Sequence, residues 1–151
     1  MQKVIVAYST VYGNTKTVAE AICEAIKERK IEAECKNVKD LKPEELANFD
    51  VILLGSPTHR ESVSDDTKNF LGKLKKVKLK GKSGAAFDTR YADIEKGAIE
   101  VLEKSMRELG INIILPGQSI IVKGAKGPIA EGELSKCKDF GKSIVEKIAI
   151  K

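Results

Sequence analysis

Tryptophan is absent, histidine occurs once, at His59, and the three cysteines lie apart at Cys23, Cys35 and Cys137 with no Cys-x-x-Cys pair. One histidine and scattered thiols cannot assemble a Cys/His zinc set. An odd number of cysteines also leaves any disulfide framework incomplete, which suits a reducing compartment, so a cytoplasmic location is expected. Cys23 and Cys137 fall on apolar helical stripes and read as small core residues. Cys35 has no activating neighbour beyond Lys36, which argues against a catalytic thiol. No apolar run approaches the ~20 residues that cross a bilayer. The apolar stretch at residues 4–8 is too short for a signal peptide. No repeat, low-complexity segment or linker interrupts the 151 residues, so a single domain over 1–151 is expected, with a core large enough to need no staples. Nothing in the sequence marks a general base, a paired nucleophile or a metal cluster.

Basic residues exceed acidic ones, 27 against 22, for a net charge of +5. The densest group is the row Lys73, Lys75, Lys76, Lys78, Lys80 and Lys82. No aromatic residue interleaves it, as a nucleic-acid site would require. A solvated basic face is the plainer reading, one able to steer an acidic protein partner.

What is present begins at Ser9-Thr10-Val11-Tyr12-Gly13-Asn14-Thr15. This segment joins the apolar run Val4-Ile5-Val6-Ala7-Tyr8 to a stretch with helical periodicity, so a strand ends, the chain turns and a helix opens. Free N–H groups and the positive end of the helix dipole favour an anion there. Hydroxyl and amide side chains add neutral donors, and Gly13 permits a left-handed turn. The loop contains no lysine, which excludes the Gly-x-x-x-x-Gly-Lys pattern, and it lacks the Gly-x-Gly-x-x-Gly spacing of a dinucleotide turn. A single terminal phosphate is the expected guest; ordinary capping by Ser, Thr and Asn is the bland alternative.

Beyond that loop, residues 15–30 carry Val18, Ile22 and Ile26 on one helical stripe. Residues 31–38 read as a less buried strand, 40–48 as a short helix opened by Pro43, and 51–55 as a central strand buried on both faces. A polar loop at 56–65 precedes a helix at about 66–76, a strand of small residues at 83–87 and a second polar loop at 88–93. A helix at 94–109, a split strand region at 111–115 and 119–122, a loop at 124–131 and a helix at 132–150 complete the chain. Such alternation predicts an α/β fold, a doubly wound parallel sheet of five strands, with loops after the first, third and fourth strands converging at one edge.

These residues resemble the flavodoxin family, of short-chain type, along essentially the whole chain. The first loop carries the resemblance most specifically. The block Asp50-Val51-Ile52-Leu53-Leu54-Gly55-Ser56-Pro57-Thr58 follows, and Leu134-Ser135-Lys136-Cys137-Lys138-Asp139-Phe140-Gly141-Lys142 is similar to the closing helix of the flavodoxin domain in flavodiiron proteins. The resemblance implies strand order 2-1-3-4-5, FMN as cofactor and a role as a small electron carrier serving a larger redox protein. It would set the phosphate on Thr10, Val11, Tyr12, Gly13, Asn14 and Thr15, with the Ser9 hydroxyl nearby and Tyr12 acting through its backbone N–H. The flavin ring would lie between Pro57, Thr58, His59 and Arg60 on one side and Asp88, Thr89, Arg90 and Tyr91 on the other, with His59 and Tyr91 able to stack. Arg60 stands where the family often keeps glycine. Arg60 and Arg90 beside the ring would favour a negatively charged reduced flavin; alternatively they pair with Glu61, Asp65, Asp88 or Asp93. An NAD(P)H-dependent flavin or quinone reductase, or a binding module with a degenerate flavin site, would fit the same fold.

Overall fold

The computed structural model describes residues 2–149. In chain order its elements are β1 (Lys3–Tyr8), α1 (Asn14–Lys27), β2 (Glu32–Asn37), β3 (Val51–Pro57), α2 (Asp65–Leu74), β4 (Ser83–Arg90), α3 (Ala98–Glu108), β5 (Asn112–Ile113), β6 (Gln118–Ile121) and α4 (Glu133–Ala149). All strand pairings are parallel, in the order β2-β1-β3-β4-β5, and β6 continues the β5 edge by pairing with the far end of β4. The expected sheet order and the split last strand are both present.

Alternation of side chains along the strands builds two cores, as a doubly wound sheet requires. On one face Ile5, Ala7, Ile52 and Leu54 pack under α2 and α3 with Phe70, Leu74, Leu102 and Met106. On the other, Val4, Val6, Leu53 and Phe87 pack under α1 and α4 with Val18, Ile22, Phe140 and Ile144. Gly55 admits the Phe87 ring across the β3–β4 pair; a Cβ at that position would overlap the ring outright.

Three boundaries differ from the sequence expectation. Residues 40–48 form short 3-10 turns, Val38–Asp40 and Pro43–Asn48, in place of one helix. Leu41 and Leu46 are buried there, so packing selects the tighter turns. The helix expected from Ile94 begins at Ala98, because Arg90 occupies the preceding turn, donating to Glu95 O at 3.0 Å. Most consequential, β4 runs on through Asp88, Thr89 and Arg90, which were expected in a loop. Pairing holds them in the sheet from both sides, Ser56 and Pro57 of β3 opposite Asp88 and Thr89, and Ser119, Ile120 and Ile121 of β6 opposite Asp88, Thr89 and Arg90. Ile150, at the end of the expected last helix, lies outside the described residues.

Candidate functional site

The carboxyl ends of β1, β3 and β4 open into one cleft, lined by Thr10, Val11, Tyr12, Asn14, Thr15, Pro57, Thr58, His59, Arg60, Thr89, Arg90 and Tyr91. Three segments far apart in the chain therefore meet where sequence reasoning brought them together.

At the first segment Gly13 sits in the left-handed region, φ 96°, and caps α1. Its N–H donates to Thr10 Oγ1 at 2.9 Å, closing the loop on itself. The first intrahelical bond runs from Thr17 N–H to Gly13 O at 3.1 Å, so the N–H groups of Asn14, Thr15 and Lys16 precede the helical ladder. No acidic residue occupies that first turn. The Thr15 hydroxyl is buried and lies 3.0 Å from Thr89 Oγ1, which ties the helix start to β4. Ser9 faces away from the cleft. Its hydroxyl lies 2.7 Å from both Ser64 Oγ and Thr67 Oγ1, locking the end of β1 to the start of α2, where Ser64 accepts from Thr67 N–H as N-cap.

At the second segment Thr58 N–H donates to Thr89 O at 2.8 Å. The chain then folds back in a two-residue turn, with His59 N–H to Ser62 O at 2.8 Å and Ser62 N–H to His59 O at 2.9 Å. Its central residues, Arg60 (φ 49°) and Glu61 (φ 63°), are both left-handed and neither is glycine. That is type I′ geometry, normally given to Asn-Gly. Both side chains are exposed, as is His59.

The third segment departs most from expectation. Asp88 is fully buried and its carboxylate does not face the cleft. It accepts from Arg90 Nε at 3.1 Å and from Arg90 Nη2, from Thr58 Oγ1 at 3.2 Å and from Ile99 N–H at 3.2 Å. Arg90 Nη2 also meets Glu100 Oε1 at 3.3 Å. The Arg90 guanidinium is thus folded under the β4–α3 turn, against Gly97, where a Cβ would come within 2.9 Å of its Cζ. Burial works against its charge, but the Asp88 carboxylate and then Glu100 outweigh that, so its pKa rises. Arg90 forms a buried ion pair, not a surface one, and presents no free cation to the cleft.

Sequence reasoning missed the cleft's fourth wall. Val122 and Ala125 line it together with Ile94. Val122, at the end of the expected strand region 119–122, and Ala125, in the expected loop 124–131, belong to a hairpin closed by a bridge between Val122 and Ile129 and by Lys123 N–H to Pro128 O at 2.9 Å. Its position just beyond the last strand was the available signal. Among the described residues no cluster of His, Cys, Asp and Glu could hold a metal ion, and no helix is long and apolar enough to cross a membrane.

A doubly wound sheet with a helix-opening loop and a slot between two further strand ends defines a flavodoxin-like protein. The model of the flavodoxin domain matches residues 5–118. A flavodoxin from Maridesulfovibrio salexigens is 30% identical over 98% of this chain and 100% of its own. The structure of a flavodoxin from the domain Archaea superposes with a TM-score of 0.84 at 30% identity, covering 97% of this chain and 99% of that one. Flavodoxin 2 from Bacillus cereus gives 0.86 at 26% identity over 96% and 99% of the two chains. The chain is also similar to an NAD(P)H dehydrogenase (quinone) from Rhodopseudomonas palustris, 26% identical over 97% and 96% of the two chains. The chain belongs to the flavodoxin family, whose cofactor is FMN.

Proposed function

We propose that the cleft holds FMN with its phosphate on the N–H groups of the loop and first turn of α1 and its ring between the His59 turn and Tyr91. The observation that carries this placement is an acid-free helix terminus without a side-chain cap, opening directly beside a slot with an exposed imidazole and an exposed phenol at its mouth. When bound, FMN supplies reversible uptake of one or two electrons, and the protein is an FMN-binding electron carrier. The chain's own residues bind and orient. Thr15 and Thr89 fix the start of α1 against β4, Ser9 ties the end of β1 to the start of α2, and the Asp88–Arg90 pair braces the floor. Arg60 is the arginine left free to act on the ring's charge.

The partner is a larger redox protein, docking on the rim formed by Val11, Tyr12 and Tyr91, which are large, apolar or aromatic and exposed. The row from Lys73 to Lys82 runs from the end of α2 to the start of β4, at the opposite edge of the sheet. A strand of β4's length puts it roughly 20 Å from the cleft. Such a row can steer an acidic partner through its field but cannot lie in the contact that passes electrons.

The test is a pair of titrations, FMN and riboflavin, followed by flavin absorbance and calorimetry. FMN should bind much more tightly, since charge-assisted hydrogen bonds contribute ~1.5–3 kcal/mol each. Thr15→Ala and Asn14→Ala should weaken FMN and leave riboflavin nearly untouched; equal losses would move the phosphate elsewhere. Bleaching of the bound flavin by NADPH alone would favour a quinone reductase, in line with the R. palustris relative.

A further inference from the structure

We propose that Cys23 and Cys35 form a redox site, a dithiol that hydrogen peroxide converts to a disulfide joining α1 to β2 and that thiol reductants reopen. The two residues belong to successive elements of the chain, and the fold turns them toward each other. Cys23 lies on the face of α1 buried against the sheet, beside Ile22 and Ile26, and is 1% exposed. On β2, Ala33 and Cys35 are two residues apart and so share a side of the strand, and both pack into the same core as Cys23. The register sets Cys35 opposite Val6 of β1, another member of that core. There the two thiols meet as hydrogen-bond partners, and neither is already in a disulfide.

Contact changes the chemistry of both sulfurs. The Cys35 thiol beside it lowers the Cys23 pKa, and Cys23 in turn pushes Cys35 up. The pair therefore gives up one proton more readily than an isolated thiol and holds the second, which the two sulfurs share. Lys27, one turn beyond Cys23 on α1, favours the thiolate at both, against Glu20, Glu24 and Glu34. Cys23 is closed off, whereas Cys35 is partly exposed on the edge strand of the sheet, so peroxide meets the Cys35 sulfur first. As thiolate that sulfur takes an oxygen from hydrogen peroxide, giving a sulfenic acid and a hydroxide, which leaves as water with the proton Cys35 gave up. The Cys23 sulfur then bonds to the Cys35 sulfur, and the displaced hydroxide takes the Cys23 proton as a second water. Two thiols and one peroxide become one disulfide and two waters. Closing from hydrogen-bond contact to a covalent bond asks for movement at Cys35, whose strand has an open side. In a reducing compartment such a disulfide is transient and redox-sensing. Cys137, fully buried in α4 with its Sγ donating to Glu133 O at 3.8 Å, is the internal control.

The experiment treats the folded full chain with a small excess of hydrogen peroxide, caps the remaining thiols with an alkylating reagent in denaturant, and maps tryptic peptides before and after dithiothreitol. Two of the three thiols should be lost to the reagent, with the peptide of residues 17–27 joined to that of residues 31–36. Dithiothreitol should restore both thiols, and Cys137 should stay reduced throughout. Cys23→Ala and Cys35→Ala should each abolish the joined peptides. In Cys23→Ala, which lacks the resolving thiol, Cys35 should run on to a sulfinic acid that dithiothreitol does not recover. A wild type that keeps all its thiols would overturn the proposal, as would one whose Cys35 oxidises without the joined peptides. A bridge formed only between chains, or only in urea, would overturn it as well. The wild-type mapping decides the question even where a core variant folds poorly.

Discussion

Asp88→Asn should cost this protein about 3 kcal/mol of stability. The change is nearly isosteric, so packing is conserved and the effect isolates charge. Asp88 is fully buried and its carboxylate answers Arg90, Thr58 Oγ1 and Ile99 N–H together. With the charge gone, Arg90 stays buried, keeps its bond to Glu95 O at 3.0 Å, and is left with one carboxylate, Glu100 at 3.3 Å, whose side chain is half exposed. Removing one partner of a buried pair usually costs ~3–5 kcal/mol, and the remaining Glu100 contact sets the lower end. At this chain length ~3 kcal/mol corresponds to a fall in Tm of roughly 6–12 °C. Urea and thermal unfolding of the flavin-free protein measure it. The decisive comparison is Asp88→Asn with Arg90→Gln, which removes both charges and should recover a good part of the loss. A single variant within ~1 kcal/mol of wild type, or a double variant worse than the sum of its parts, would refute the idea that this pair braces the cleft floor.

Other outcomes can be read in the same way. Arg60→Gly should stabilise the protein by ~1 kcal/mol, because a left-handed non-glycine residue costs ~1–2 kcal/mol, and a rise in the urea midpoint checks it. Arg60→Glu should lower the flavin's reduction potential, more at low salt, whereas Arg90→Gln, whose wild-type charge is already answered by Asp88, should shift it less; a redox titration in which Arg90 dominated would place its guanidinium in the cleft. Burial pushes the Cys137 thiol from its ordinary 9.0 up to about 12, so the folded chain keeps a proton that the unfolded chain releases. Stability from this group is complete below pH 9 and falls as pH rises toward 12. Cys137→Ala should flatten that alkaline decline in pH-dependent urea midpoints while lowering the midpoint at neutral pH.

The pattern of legibility follows from where each residue's partners lie. Apolar periodicity is local, so the strands and the longer helices could be read from the chain, as could the loop at residues 9–15, while the sheet order followed from the family resemblance. Ser9 and Asp88 were placed in the site by sequence neighbourhood, yet both turn inward, because partners from distant elements meet them, Ser64 and Thr67 for one and Thr58 and Ile99 for the other, with Arg90 of the same strand. A polar triplet such as Asp88-Thr89-Arg90 reads as loop when burial is judged by residue type. It is stable as strand because the acid and the base are two residues apart, on the same side of β4, and cancel each other.

That cancellation also changes the electrostatic reading of the site. Counting arginines that line the cleft gives two positive charges; counting those without an ion pair among the described residues leaves Arg60, held out on a strained two-residue turn. With the ring placed as proposed, its potential depends on a solvent-facing group whose influence salt can screen, while the buried arginine serves the shape of the cleft. The net charge of +5 misleads in the same manner, since its densest contribution, the row from Lys73 to Lys82, enters at the amino ends of the strands. Parallel topology sends every strand's carboxyl end to the cleft and every helix's end away from it, and lysines favoured at helix C-termini are carried to the far edge with them. Charge that faces the cleft must come from the loops beyond the strand ends, which is where Arg60 stands.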